Sequence, residues 1–98
     1  MVQTKAAILT AIRQNGMRLR DFGVARIGLF GSFVRGQASA ASDVDILVEF
    51  APKALSFDNY MGLKLYLEET LGRPIDLVIQ DDLKDELKAP ILATVEYA

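Results

Sequence analysis

Residues 29–50, "LFGSFVRGQASAASDVDILVEF", carry the information that decides the architecture. An apolar run ends at Gly31-Ser32, a loop of small residues follows, and a second apolar run opens on Asp43 and Asp45. Aspartate is depleted in strands, and like charges side by side repel. Two carboxylates two residues apart at the mouth of a strand therefore call for a compensating charge.

Working outward, Val24–Phe30 and Val44–Phe50 are short, apolar and partly β-branched, the pattern of buried strands. Gly31-Ser32 turns the chain into one helical turn through Arg35, which Gly36 ends. Thr4 caps a first helix carrying Ile8, Leu9 and Ile12 at helical spacing. Asn15-Gly16 interrupts it, and residues 17–22 resume for a turn or two before Gly23. Ser56 caps a longer helix over Phe57–Leu71, which Gly72 stops, with Pro74 two residues on. Gly62 inside that helix costs about 1 kcal/mol relative to Ala and so implies a close packing contact. Ile75–Ile79 reads as a third strand. Asp82 and Asp85 open a last helix that Pro90 is expected to break or restart. The order helix, strand, strand, helix, strand, helix predicts an α/β (α+β) domain with a small mixed sheet of about three strands flanked by helices.

The 98 residues, 51% of them apolar, suit one domain spanning positions 1–98 with one core. The chain contains neither cysteine nor histidine. Disulfides, thiolate or imidazole metal sites and His-based acid–base catalysis are thereby excluded. Chemistry must run on carboxylates, hydroxyls, Lys, Arg, backbone amides or a hard metal. A net charge of −2 argues against broad electrostatic binding to nucleic acid. With no signal-peptide pattern at the N-terminus and no apolar run of membrane-spanning length, a cytoplasmic protein that does not enter membranes is expected.

Alternation along a strand points Asp43 and Asp45 to one face and Val44, Ile46 and Val48 to the other, core-facing side. Two carboxylates roughly 6–7 Å apart at Cα suit one or two hard cations such as Mg²⁺, which removes their repulsion. The plainer alternative is a turn aspartate followed by a solvated strand residue. Asp76, one residue into the apolar "RPIDLVIQ", strengthens the first reading. If its strand neighbours the second one, three carboxylates can build a two-metal site for displacement at phosphorus. Taken alone, Asp76 would instead pair with a basic neighbour such as Arg73. Gly31 permits a close backbone approach, and Ser32 offers a hydroxyl and the first amides of a helical turn to an anion. Alone, it is an ordinary cap in a tight turn. Arg35 can bind a phosphate or pair with a nearby carboxylate.

The ordered set G-S-x(10)-D-x-D followed by a later strand aspartate resembles the signature of the DNA polymerase β-type nucleotidyltransferase superfamily. "IGLFGSFVRGQASAASDVDILVEF" and "GRPIDLVIQ" are similar to the minimal nucleotidyltransferases, the MNT family, with the match strongest over residues 24–80. The resemblance implies a nucleotidyltransferase fold, ATP or another NTP as donor, and Mg²⁺, two ions, as cofactor. It implies Gly31 and Ser32 at the donor's phosphates, Asp43 and Asp45 as metal ligands, and Asp76 as third ligand and base for the acceptor hydroxyl.

The resemblance extends to biology. Minimal nucleotidyltransferases are typically paired with a HEPN-domain ribonuclease toxin, as type VII-like antitoxins that transfer AMP to a tyrosine of the toxin. That implies hetero-oligomers with a HEPN partner. Two rivals are an antitoxin that neutralises by binding alone and a small-molecule nucleotidyltransferase. The first would use a second apolar face of the helix over Phe57–Leu71, against the alternative that this helix is buried all round. The second is disfavoured by the short stretch after the third strand, which leaves little room for an acceptor domain.

Overall fold

A computed structural model describes residues 4–39 and 42–98; Ala40 and Ala41 of the small-residue loop lie outside the described residues. The elements are α1 (Lys5–Gln14), α2 (Gly16–Asp21), β1 (Val24–Phe30), α3 (Ser32–Arg35), β2 (Val44–Phe50), α4 (Phe57–Leu71), β3 (Ile75–Ile79), α5 (Asp85–Thr94) and β4 (Glu96–Tyr97). The four strands form one sheet in the order β3-β2-β1-β4. β1 is antiparallel to both β2 and β4, whereas β2 and β3 are parallel, joined by the α4 crossover.

The expected caps form. Thr4 Oγ1 accepts from the Ala7 N–H at 3.1 Å, and Ser56 Oγ accepts from the Asn59 N–H at 3.0 Å. Gly72 closes α4 in the left-handed conformation at φ 67°. At the α1–α2 break, Asn15 donates from Nδ2 to the Ala11 carbonyl and accepts at Oδ1 from the Tyr66 hydroxyl of α4. The side chain that interrupts the helix thus ties both halves to α4.

The core lies between the helices and one face of the sheet. Ile8 and Ile12 of α1, Leu29 of β1, Val44, Ile46 and Val48 of β2, and Leu63 and Leu67 of α4 are all buried there. The aliphatic side of β2 is therefore the one expected. Gly62 carries the close contact its position implied: a Cβ there would come within 2.8 Å of the Phe22 ring, which packs on Tyr66. α4 is buried on one side alone. Leu63, Leu67 and Leu71 face the core, while Phe57 is 77% and Leu65 58% exposed. The expectation of a helix buried all round is corrected accordingly.

Two further expectations are revised. Pro90 neither breaks nor restarts the last helix; α5 runs through it. Proline removes the amide that would bond the Glu86 carbonyl, but both residues are exposed, so water can take that carbonyl. The sheet also has a fourth strand. β4 is only two residues long, pairs Tyr97 with Gly28 and Glu96 with Leu29, and is held by a Lys5–Glu96 ion pair at 2.8 Å. Its formation depends on the edge that β1 presents to it. Among the described residues no helix is long and apolar enough to cross a membrane.

Candidate active site

The candidate site sits where β1 ends and β2 and β3 begin. Phe30, the last residue of β1, pairs with Asp45 on one side of β2, and Asp45 pairs with Asp76 on the other. Neighbours in register share a face of the sheet, and adjacent strands lie about 4.8 Å apart. Asp45 and Asp76 therefore stand side by side, off the face that carries the core. Asp43 is exposed and lies just before β2, and Asp76 is exposed as well.

Gly31 makes the turn from β1 into α3 at φ 74°, ψ −144°, a conformation glycine reaches almost alone. Space matters as much as angle. A Cβ at position 31 would overlap Asp45 Oδ2 and lie 2.8 Å from Asp45 Cγ. The glycine thus leaves the volume that the central carboxylate fills. Directly after it, Ser32 opens the single turn of α3, which Gly36 closes in the left-handed conformation.

Electrostatics separate Asp45 from an ordinary strand carboxylate. Partial burial pushes its pKa up, the charges of Asp76 and Asp43 add to that, and the Ser32 N–H and the Arg35 guanidinium oppose it. None of Asp43, Asp45 and Asp76 is in a salt bridge among the described residues. Nor do three carboxylates there close up as a finished metal cage. What exists is an in-register pair with a third carboxylate acting on it, a set of oxygen donors whose like charges Arg35 opposes from a distance without an ion pair among the described residues. That fits a hard divalent cation, which Asp43, Asp45 and Asp76 would hold, completing its shell with water and substrate oxygens.

Arg35 is exposed, donates from Nε to Gln37 Oε1 at 3.1 Å, and is in no salt bridge among the described residues. Its charge acts on Asp45, so the structure brings it to the site's edge. Arg73 has a role that the order of residues did not disclose. It is 4% exposed, donates from Nη2 to the carbonyls of Ser39 at 2.7 Å and Ser42 at 3.1 Å, and lies over the Phe33 ring at 4.9 Å. It holds the loop that delivers Asp43 against the helix that follows Ser32. The pairing of Asp76 with Arg73, open from the sequence, does not form. The signal available in the sequence was an arginine directly before Pro74 at the start of a buried strand.

With this geometry in view, similarity to known proteins takes on chemical meaning. Residues 12–97 match the family model for the nucleotidyltransferase domain. The chain belongs to that family. It is 46% identical over 94 residues to a protein adenylyltransferase, MntA, from Thermococcus cleftensis, an alignment covering 93% of this chain and 89% of the relative. The fold superposes on a minimal nucleotidyltransferase structure with a TM-score of 0.74 at 30% identity, covering 90% of this chain and 93% of that one. It also superposes on a chain of a toxin–antitoxin crystal structure with AMP-PNP, with a TM-score of 0.69 at 26% identity, covering 86% and 69%. The chain is thus a minimal nucleotidyltransferase, and the expected fold is the one found.

Proposed function

We propose that this chain, acting as one domain over residues 1–98, is a Mg²⁺-dependent adenylyltransferase antitoxin. It transfers AMP from ATP to a tyrosine hydroxyl of a HEPN ribonuclease partner in the cytoplasm and so silences it. The observation that carries the reading is the in-register Asp45–Asp76 pair, with Asp45 packed against the Gly31-Ser32 turn. The adenylyltransferase relative and the AMP-PNP complex of a toxin–antitoxin pair support the donor and the kind of partner.

In the reaction the acceptor oxygen attacks the α-phosphorus, the bond to the bridging oxygen breaks, and pyrophosphate leaves. Asp76, exposed and free of ion pairs among the described residues, takes the hydroxyl proton. Ser32 meets the donor's phosphates with its hydroxyl, and Gly31 keeps that end of the chain close. Arg35 adds positive charge at the rim. Asp43, Asp45 and Asp76 would hold Mg²⁺, two ions, which when bound would supply charge neutralisation and alignment at phosphorus. No histidine or cysteine is required.

A second reading, neutralisation by binding alone, is favoured by one observation: the exposed Phe57 and Leu65 on the outer side of α4. The test is to incubate the protein with labelled ATP, Mg²⁺ and the HEPN protein encoded beside it, and to weigh the HEPN protein by mass spectrometry. An added AMP mass on tyrosine, lost in Asp43→Ala and Asp45→Ala, is the expected result. Neutralisation that survives both substitutions without a mass change would establish the binding reading. Label on a small metabolite would instead make it a small-molecule nucleotidyltransferase.

A further inference from the structure

Residues 36–42, "GQASAAS", contain no side chain larger than that of Gln37, so the loop leading into Asp43 has little apolar surface of its own to fix it. Its later part is closed on itself. The Ser42 N–H donates to the Ser39 carbonyl at 3.1 Å, and the Ser39 N–H donates to Ser42 Oγ at 2.8 Å. Arg73 fastens this unit to the domain, because its Nη2 donates to the carbonyls of both serines.

All parts of the candidate site adjoin that one side chain. Ser42 directly precedes Asp43, and Phe33, under the guanidinium, directly follows Ser32. Arg73 itself stands three positions before Asp76, and between them the Pro74 carbonyl accepts the Val44 N–H at 3.0 Å, where the β2–β3 pairing begins. Charge does not explain the placement. The side-chain charges that act on Asp45 are those of Asp76, Asp43 and Arg35, and among the described residues Arg73 is the charged side chain that is buried. Burying a guanidinium is costly, and an apolar side chain of similar volume avoids that cost. What an apolar side chain cannot supply is a planar head that donates to two carbonyls in its plane while its face lies on a ring. Lysine supplies the charge but not the plane.

We propose that Arg73 is a positioning residue for nucleotidyl transfer. The edge of its guanidinium fixes the Asp43 loop and its face fixes the Ser32 turn, so both are held at one spacing from the Asp45–Asp76 pair. The inference rests on the proposed function and adds to it that the grip on a metal–nucleotide depends on a buried residue that touches neither. It follows that the shape of the Arg73 head matters more than its charge, and that its replacement costs binding and transfer beyond any loss of stability.

The test reads binding apart from transfer. Wild type, Arg73→Lys, Arg73→Met and Phe33→Leu are titrated by calorimetry with Mg²⁺ and α,β-methylene-ATP, which cannot be cleaved at the α-phosphorus, without the HEPN protein and well below each melting temperature. Transfer kinetics are measured alongside. Both Arg73 variants are expected to bind the analogue about tenfold more weakly and to lose about a hundredfold in kcat, although Arg73→Lys keeps the charge. Phe33→Leu leaves every donor in place but removes the ring, and should cost about threefold in affinity. Combined with Arg73→Lys it should cost nothing further, since the two act as one unit. Wild-type affinity in Arg73→Lys would overturn the proposal in favour of charge. A loss that only follows the unfolded fraction would make Arg73 structural and overturn it as well. If both Arg73 variants unfold, Phe33→Leu decides, and unchanged affinity there refutes the proposal. Wild type that takes up no metal–nucleotide would sink the proposed function and this inference together, whereas normal uptake by wild type and variants alike would overturn the inference alone.

Discussion

Two carboxylates at the same end of the sheet titrate in opposite directions. Glu68, on α4, accepts from Lys64 Nζ at 3.0 Å and from the Ile75 N–H, the first amide of β3, at 3.2 Å. The Lys64 hydrogen bond and then the Ile75 amide hold its pKa below the usual carboxylate range. Asp45, one strand over, is pushed up by burial and by the charges of Asp76 and Asp43. Glu68 is a carboxylate whose partners are complete within the chain, and it fastens a helix to a strand. Asp45 has one amide and a more distant guanidinium in its favour and two like charges against it. A folded chain retains such an arrangement when something outside it completes the set, so the contrast points to the binding end more sharply than either group alone.

The comparison can be broken first at Asp45. Asp45→Asn keeps the shape and an oxygen that can accept from Ser32, but removes the charge. Adenylyl transfer should fall about a thousandfold, the scale of losing several kcal/mol of charge stabilisation at the transition state. The fold should survive, with a melting temperature equal to wild type or a few degrees higher at neutral pH. A variant that melts early would show Asp45 to be structural, like Glu68.

Gly31→Ala tests the space that Asp45 fills. It forces a side chain into a glycine-only backbone conformation and against Asp45 Cγ, so stability should drop by about 1–3 kcal/mol, or at least about 5 °C in melting temperature. Transfer should be lost with it. Full activity in this variant would place the donor's phosphates elsewhere.

The pH dependence sharpens the contrast without touching the chemistry. Asp45's folded pKa lies above its unfolded one, so the folded state binds the extra proton. Stability from this group therefore declines as pH rises from the ordinary aspartate range through the raised value. Glu68 behaves inversely, contributing above the ordinary glutamate range and losing that contribution as pH falls through its lowered value. Melting curves of Asp45→Asn and Glu68→Gln against wild type should thus differ from it in opposite senses at neutral pH and converge with it in acid. Transfer should remain in Glu68→Gln. Parallel curves would mean that the two sites are electrostatically alike.

The smallest effect is expected at Gly62→Ala, where helix propensity gains about 1 kcal/mol and crowding of Phe22 opposes it by a similar amount. A melting temperature close to wild type is predicted, and a large gain would show that the Phe22 ring can move away.

Much of the fold was legible because its signals are local. The Thr4 and Ser56 caps, the Asn15 break, the glycine stops and the alternation of Val44, Ile46 and Val48 act within a few residues, and each element stands where the pattern put it. β4 was not legible, since two residues carry no period and pair only because β1 has an edge to offer. Pro90 misled because its cost depends on exposure, which spacing does not reveal. Arg73 looked like a partner for Asp76, but burial over Phe33 turned its head to the Ser39 and Ser42 carbonyls.

From the residues alone came the kinds of group available for chemistry, the strand and helix order, and a spacing of glycine, serine and aspartates that resembles one family of enzymes. Which carboxylates meet was decided in three dimensions. The parallel pairing of β2 with β3 sets Asp76 beside Asp45 across some thirty positions of chain, and the antiparallel pairing of β1 with β2 brings Gly31 against Asp45. Register between strands is a property of packed faces and crossover length. No local run of side chains encodes it.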